Sequence, residues 1–533
     1  MRFLKQASTM LATAMLAGFV AGCAGSAANN AAEPASSDPK EAPAAAAEPA
    51  KFSYLRPVWG PATYQKGGPY EKELFKQGNV EIEAQIIPVK EYNPKVNAIL
   101  ASGDLPDVLW GSGPTNSVFL EAQQQGAFLK INDYLDKYPA IKEALPQYLW
   151  DMVTDENGDI YFIPNPVSPY VPFMLMYRQD WFEKLNIPEP KTLEELVAAL
   201  EVIKNSDPDG NGSNDTIPLS VGTRWYLKEL ATSFGTSHDG WEPSPEDPNK
   251  LIPQFANDKW INFNVWLQDL SKQGLLDPDF GVVQDHQKVR EKFLSGKTAV
   301  FPNNYSDYLT LLGDMRKMNP DAKIGLMSPL AGFNGEEGGI RTIVPIDRGI
   351  YISSKAKDPE GIFRFLNWQL TEGYDLRRYG IEGKTYTVSA DGQKEDILDA
   401  DRDPAYQKPQ IEPFLTITPY NEAMQNWDLI KNGFELNEFG DKFEPYKQKF
   451  DEYVQVQYPD YRDRTIVSPF EMKEGTKLYE DIMKSTVEGL AINHKLTKQD
   501  WMNQLKKWEE AGGAKLIEEV NELQTDKSKP MFE

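Results

Sequence analysis

Cysteine is all but missing from this chain of 533 residues: Cys23 is the only one. A lone thiol in an exported protein implies an intermolecular bridge, a reactive free group or a modification. Histidine is nearly as scarce, with His238, His286 and His494 in total. Neither a His-Glu-x-x-His pair nor a Gly-x-Ser-x-Gly elbow occurs, which removes two common hydrolase signatures. Positive charge is short as well, 56 Lys and Arg against 80 Asp and Glu, for a formal net charge of -24. A binder of phosphate backbones needs clustered Lys and Arg, so no nucleic acid partner is expected. The acidity does not name a ligand, because a cleft can carry either sign inside an acidic shell. Beyond the N-terminus no apolar run approaches the length of a membrane span. Gly383-Lys384-Thr385 looks like the end of a phosphate loop, but Arg378 stands where its first glycine belongs. With 80 acidic residues some carboxylate pair can always be drawn for glycosidic cleavage, so abundance is no evidence for a secreted polysaccharide-active enzyme.

The N-terminus carries an export pattern: Arg2 and Lys5, then an apolar stretch from Met10 to Val20 that is too short to remain as a membrane helix. Val20-Ala21-Gly22-Cys23 follows and resembles the lipobox of bacterial lipoproteins. That resemblance implies cleavage before Cys23 and lipidation of its sulfur; an ordinary secreted protein cleaved near Ala21 is the alternative. Residues 23–50 are mainly Ala, Pro, Ser, Asn and Glu with almost nothing to bury, and read as a disordered tether. The expected order is a signal peptide at 1–22, the tether at 23–50, and a body held at the extracellular face of the membrane through lipid only.

That body is long enough for more than one core, and the 40% hydrophobic content is ordinary for a globular protein. Phe52 to Trp59 alternates as a strand, and Val80 to Ile87 is a second. A helix over Tyr92 to Ala101 ends at Gly103, and Asp104 to Trp110 is a short buried-type strand. Strand, helix, strand at this spacing predicts a parallel sheet. Thr192 is a fitting N-cap for a helix with Glu194 and Glu195 in its first turn. Another helix runs from about Trp260 to Gln273, and Lys297 to Phe301 is a strand that opens into the polar-aromatic loop Asn303-Asn304-Tyr305. From about Asn421 the period is mostly helical, with Trp427, Tyr446, Phe450, Leu478, Ile482 and Trp501 among the expected core positions.

Gly103-Asp-Leu-Pro-Asp-Val108, Tyr177-Arg-Gln-Asp-Trp181, Pro190-Lys-Thr-Leu-Glu-Glu-Leu196, Gly274-Leu-Leu-Asp-Pro278, Phe293 to Ala299 and Gly380 to Tyr386 extend over nearly the whole body. In this order they resemble the extracellular solute-binding lipoproteins of carbohydrate ABC importers, family 1 solute-binding proteins of the LplA and YtcQ kind. The resemblance implies an α/β, two-lobed periplasmic-binding-protein-like fold of type II, each lobe a mostly parallel sheet flanked by helices, with a hinge between lobes. It places lobe 1 at 51–167 and 343–405, and lobe 2 at 168–342 and 406–533. It also implies a monomer that is not an enzyme, an oligosaccharide ligand between the lobes, and delivery to the permease subunits of an ABC importer. A ligand-presenting sensor or adhesion subunit is the alternative that the same fold serves.

Sugars present apolar ring faces and a belt of hydroxyls, so their sites need flat aromatic faces beside carboxylates, amides and Arg. Open α/β sheets hold ligands beyond the carboxyl ends of their strands. By position the resemblance picks out Trp110, with Ser112 beyond it, and Tyr305, with Asn303 and Asn304. Arg56 and Trp59 at the end of the first strand, Arg224 and Trp225 after Leu219-Ser-Val, and Asp347 with Arg348 near the expected crossing complete the candidate wall. The arginines at 56, 224 and 348 would suit a uronate-containing oligosaccharide. Among 12 Trp and 24 Tyr many serve the core, so packing stands as the alternative for each aromatic and is preferred for Trp181, as turn capping is for Asp104 and Asp107.

Asp207-Pro-Asp-Gly-Asn-Gly-Ser-Asn-Asp215 places oxygen side chains at alternate positions, with Gly212 where an EF-hand loop turns sharply. Asp207, Asp209, Asn211 and Asp215, with the Ser213 carbonyl, form a candidate set for one structural Ca2+. The loop also resembles the calcium loop of the larger binding proteins for acidic oligosaccharides. Two departures weaken the set: Thr216 follows Asp215 where an acidic residue is usual, and Pro218 occupies the twelfth position, where an EF-hand has Glu. A solvated turn rich in Asp, Asn and Gly is the alternative.

Overall fold

The computed structural model describes residues 48–58, 64–113, 116–222, 224–237, 240–280, 286–342, 345–390, 392–397, 401–414, 417–424, 426–462 and 485–524. The chain divides into Met1–Glu48 and Pro49–Glu533. Cys23 and nearly all of the expected tether lie outside the described residues, as do Trp59, Leu478 and Ile482. No helix among the described residues is long and apolar enough to cross a membrane.

Nine strands build the two main sheets: β1 (Ala50–Val58), β2 (Val80–Pro88), β3 (Val108–Ser112), β4 (Phe162–Pro166), β5 (Phe173–Arg178), β6 (Ile217–Leu219), β7 (Thr298–Asn304), β8 (Ile324–Leu326) and β9 (Ile346–Ile352). The first sheet runs β2-β1-β3-β9-β4 and the second β8-β5-β7-β6. β1 is parallel to β2 and β3, joined by the expected helix, Val89–Ser102, which Gly103 ends at φ 71°. β9 is antiparallel to β3 and β4, and β5 is antiparallel to β7 and β8, leaving β6 with β7 as the parallel pair of the second sheet. Both sheets are therefore mixed, which corrects the expectation of mostly parallel sheets. The cause is the crossing between lobes: β5 and β9 are each the first main-sheet strand after a crossing. They enter at the end where their neighbours leave, and so run against them.

One core holds the first lobe together, with Tyr54, Leu109, Ile163, Tyr351 and Phe363 in contact across its sheet. In the second lobe β5 is apolar on both faces, and its alternate residues serve different cores: Leu175 and Tyr177 pack on one side, Met174 and Met176 on the other. A further core joins Trp241 and Trp260 to Trp501 and Trp508 of the C-terminal helices. Ile411, Phe414 and Ile417, expected in the second lobe, pack in the first core instead. Buried side chains of the first lobe satisfy the irregular backbone there: Arg56 donates to the Glu412 and Pro413 carbonyls and Gln369 to that of Phe414.

At the centre of the first sheet Gly111 and Gly349 are cross-strand partners. A Cβ on Gly349 would fall 2.1 Å from the Ile163 carbonyl oxygen, and one on Gly111 would fall 2.2 Å from the Phe119 ring. Both positions therefore require glycine for close approach.

Beneath the crossings lies a buried charge. Glu229, in the helix Lys228–Thr232, is 4% exposed, beside Lys228 and Arg341, which are also buried. Phe173, at the start of β5, gives it a backbone hydrogen bond, and Arg341 stands just before the second crossing. Burial pushes its carboxyl up to about 7, against the pull of Lys228, the Phe173 amide and Arg341. Its ordinary value is 4.5, so the folded chain binds this proton more tightly than the unfolded one. The stability it contributes is complete below pH 4.5 and is lost as pH rises through about 7. The loss is on the order of 3 kcal/mol. Thermal melts between these pH values should fall for the parent chain more steeply than for Glu229→Gln; parallel curves would remove this carboxyl as the cause.

Candidate functional site

The chain leaves β4 and enters β9 at one end of the first sheet, where Pro166 faces Ile346. It enters β5 at the corresponding end of the second, where Phe173 faces Asn304. The crossings join these two ends, and the residues on them are the walls of the candidate site.

On the second wall Tyr226 belongs to the tight turn Arg224–Leu227, after β6, and His286 opens the helix His286–Leu294. The two rings are stacked, with centroids 3.5 Å apart and planes 7° from parallel. Gly222 lets the elements come this close, since a Cβ there would lie 2.9 Å from the His286 Cα. Phe173 meets Tyr226 edge-on with centroids 4.9 Å apart, and His286 Nε2 lies 2.9 Å from Oδ1 of the buried Asn303. Tyr226 and His286 both remain partly exposed. Burial, with the Asp307 charge, pushes the Tyr226 phenol up to about 12.

Asp307 stands next to this pair. Its side chain is open to solvent, yet desolvation by the surrounding protein raises its carboxyl pKa. Arg290, the Asn303 amide and Lys408 pull the other way. Lys408 belongs to the segment that packs in the first lobe, through its neighbour Ile411.

On the first wall Arg348 is the cross-strand partner of Ser112 on one side and Asn165 on the other, and all three are partly exposed. The Ser112 carbonyl accepts from the Tyr351 hydroxyl at 3.1 Å.

The remaining expected residues fall elsewhere. Trp110 is 3% exposed and lies in the first core, with the Arg56 guanidinium 4.2 Å from its ring centroid. Arg56 is 8% exposed and directs its Nη1 to the Glu412 carbonyl at 2.8 Å. Tyr305 is 5% exposed between Tyr446 and Phe450, in the core behind the wall. These three are buried in packing positions: Arg56 and Trp110 on β1 and β3, and Tyr305 in the short turn Tyr305–Asp307 that follows β7. Asn304 stays at the wall but its Oδ1 accepts from the Ser306 amide, a capping role. The side chains of Arg224, Trp225 and Asp347 lie outside the described residues. As preferred above, Trp181 packs in the core under the Arg178 guanidinium, and Asp107 accepts from the Ser53 amide and hydroxyl. Tyr226 and His286 escaped the sequence reading. The signal for Tyr226 was present one residue beyond Trp225, whereas His286 has no local motif.

In the loop after the helix Leu193–Lys204, Asp209 and Asp215 each lie 2.9 Å from Nδ2 of Asn211, so two carboxylates converge on one point. Asp207 accepts from the Asn211 and Gly212 amides, and the Gly212 amide holds its carboxyl below the usual carboxylate range. Asn211 turns its oxygen to the Ser213 amide at 2.8 Å. The donor set is all hard oxygen, which fits a calcium-like cation. Among the described residues, however, no three His, Cys, Asp or Glu side chains are gathered closely enough to hold a metal.

Two mixed α/β lobes, joined where β4 ends and β5 begins, with a stacked aromatic pair and polar groups at those strand ends, have the form of a two-lobed binding protein. The family model for bacterial extracellular solute-binding proteins matches residues 14–375, and the chain belongs to that family. It is similar to lipoprotein LipO of Bacillus subtilis strain 168, at 22% identity over 502 residues, 90% of this chain and 93% of that protein. The polygalacturonan/rhamnogalacturonan-binding protein YtcQ of the same organism is 23% identical over 489 residues, 88% of this chain and 91% of that one. The fold is shared with alginate-binding protein AlgQ2 solved without calcium ion, at a TM-score of 0.70 and 18% identity, covering 89% of this chain and 98% of that one. It is shared to the same extent, 0.70 and 18% over 89% and 98%, with the Streptococcus pneumoniae substrate-binding protein FusA in complex with kestose.

Arg56→Met should destabilise the first lobe by about 2 to 4 kcal/mol, because the buried Pro413 carbonyl and the partly buried Glu412 carbonyl lose their donor and the Trp110 face loses its cation. Chemical denaturation measures this; an unchanged midpoint would return Arg56 to the list of wall residues.

Proposed function

We propose that this protein is a lipid-anchored extracellular receptor that captures an oligosaccharide between its lobes and passes it to the permease subunits of an ABC importer, without chemical change to the sugar. The observation that carries this reading is the second wall, where the partly exposed Tyr226–His286 stack lies on the same wall as Asn304 and Asp307. A sugar ring pairs an apolar face with a hydroxyl belt, and this wall matches both. Ser112 and Arg348 on the opposite wall supply hydrogen-bonding partners for a ligand that bridges the lobes. Bridging favours the closed arrangement by differential affinity, and that arrangement is what a permease distinguishes from the empty receptor. The names of relatives support a carbohydrate ligand: YtcQ is named as a polygalacturonan/rhamnogalacturonan-binding protein and FusA is described with kestose.

The segment Asp207 to Asp215 serves as a structural calcium loop in this reading, with Asp207, Asp209, Asn211, Ser213 and Asp215 as its oxygen donors. Support comes from the convergence of Asp209 and Asp215 and from the mention of calcium in the description of AlgQ2. Cys23 carries the lipid, supported by its place after the apolar stretch and by the name of LipO.

A thermal-shift screen of the full chain against neutral and uronate oligosaccharides tests the receptor. At a ligand concentration of a hundred Kd, binding adds about 2.7 kcal/mol, a readable rise in Tm. The sugar should be recovered intact; its conversion to products would make the protein an enzyme. In a parallel arm, calcium should raise the Tm of chelator-treated protein, and Asp209→Asn should cancel that rise; a flat response in the parent chain would reduce the loop to a solvated turn. Cys23→Ser should release the protein from the membrane fraction of expressing cells, and retention there would sink the lipid anchor.

A further inference from the structure

The Tyr226–His286 stack joins two elements that are separate in sequence, the turn Arg224–Leu227 after β6 and the start of the helix His286–Leu294. Stacking requires that one be held in a fixed direction against the other. Resting on the receptor reading, we propose that Lys292 and Asp277 are positioning residues of the second wall: their ion pair, joined by the Ser220 hydroxyl, ties that helix to the end of β6 and so sets the rings that receive the ligand.

Three observations carry this. First, the ties converge on one buried carboxylate. Asp277 is 2% exposed and accepts from Lys292 Nζ with both oxygens, at 3.0 and 2.8 Å. The Ser220 hydroxyl, also buried, donates to its Oδ2. Second, each partner belongs to an element that needs holding. The Leu219 amide donates to the Leu275 carbonyl at 3.1 Å and the Asp277 amide to the Leu219 carbonyl at 2.7 Å, which fixes Asp277 beside β6. Ser220 follows β6 directly and leads through Gly222 to the turn of Tyr226. Lys292 lies on the helix of His286, about 9 Å further along its axis. Third, the other end of this helix already has a contact, since a Cβ on Gly222 would lie 2.9 Å from the His286 Cα. One contact leaves a helix free to swing about it; a second, further along, fixes its direction.

The remaining restraints on the helix act differently. Val289 and Phe293 pack in the core, and apolar burial is not directional. Arg290 meets Asp314 at 2.9 Å, but both side chains are more exposed than that of Asp277, and exposed pairs contribute little. The Asn303 contact holds the imidazole of His286 rather than the helix. Asp279, exposed, is a further acceptor for Lys292 at 2.7 Å. The clamp also gives a role to Gly274-Leu-Leu-Asp-Pro278, whose acidic residue is Asp277.

NMR of the full chain with 13C-labelled histidine tests the clamp, because only His238, His286 and His494 contribute. Stacking should shift the His286 ring resonance upfield, and Tyr226→Leu, which removes the facing ring, assigns it by abolishing that shift. In Lys292→Met the shift should fall by half or more while the other two histidines stay in place. Affinity for whichever of kestose, maltotriose and trigalacturonate the parent chain binds should drop about ten-fold. Adding Asp277→Asn to Lys292→Met removes the uncompensated buried charge, so Tm should recover toward the parent value while shift and affinity do not. An unchanged shift in Lys292→Met, or recovery of shift and affinity together with Tm in the double variant, would overturn the positioning role and reduce the pair to a stabilising one. If Lys292→Met does not fold, the double variant alone gives the same decision. A parent chain that binds none of the three sugars would remove the receptor reading and the clamp's role in binding with it, whereas the NMR arm decides the stack without any sugar.

Discussion

The seating of β9 between β3 and β4 is the constraint on which the two-walled arrangement depends. The strand arrives from the other lobe and must run against both neighbours, with its glycine at 349 opposite the glycine at 111. Side chains at these two positions would collide with the Ile163 carbonyl and the Phe119 ring. Because the ladder begins within a few residues of the crossing, the first wall is fixed at the point where the chain enters it. Arg348 and Ser112 owe their adjacency to that register.

The same economy governs charge. In each lobe a guanidinium lies over an indole, Arg56 over Trp110 and Arg178 over Trp181, and in each case the cation also meets acceptors of the protein. Buried cations need such partners, since desolvation without them is costly. A guanidinium used this way serves the fold and is withdrawn from ligands. The acidic balance of the chain is then felt at the wall through Asp307, whose neighbours offset its charge without covering it.

Much of the architecture was legible in the sequence, and the reason is local. Gly103 after the helix Val89–Ser102, and Thr192 with its hydroxyl accepting from Glu195, act over a few residues and leave a readable mark. Strand direction left none: Phe173 to Arg178 reads as an apolar strand whichever way its neighbours run. The site was legible only in outline. The strand-end rule led to the loops of the candidate walls, but Trp110 and Tyr305 are buried while Tyr226 and His286 remain partly exposed. Which face of a loop looks into a cleft is decided by the opposite lobe, and no short stretch of sequence contains that information. The return to the second lobe was likewise hidden, because Ile411, Phe414 and Ile417 pack in the first core while the carbonyls of Glu412, Pro413 and Phe414 accept from Arg56 and Gln369, far away in sequence.

Three passages of chain join the lobes: between Pro166 and Phe173, between Thr342 and Ile346, and between Ile417 and Trp427. Two rigid bodies on one tether may take any relative orientation, but every added strap removes rotational degrees of freedom. With three straps, twisting and sliding stretch at least one of them, and bending about a single axis is the mode that stretches none. Bending about an axis through the three straps is therefore the relative motion that this connectivity strains least.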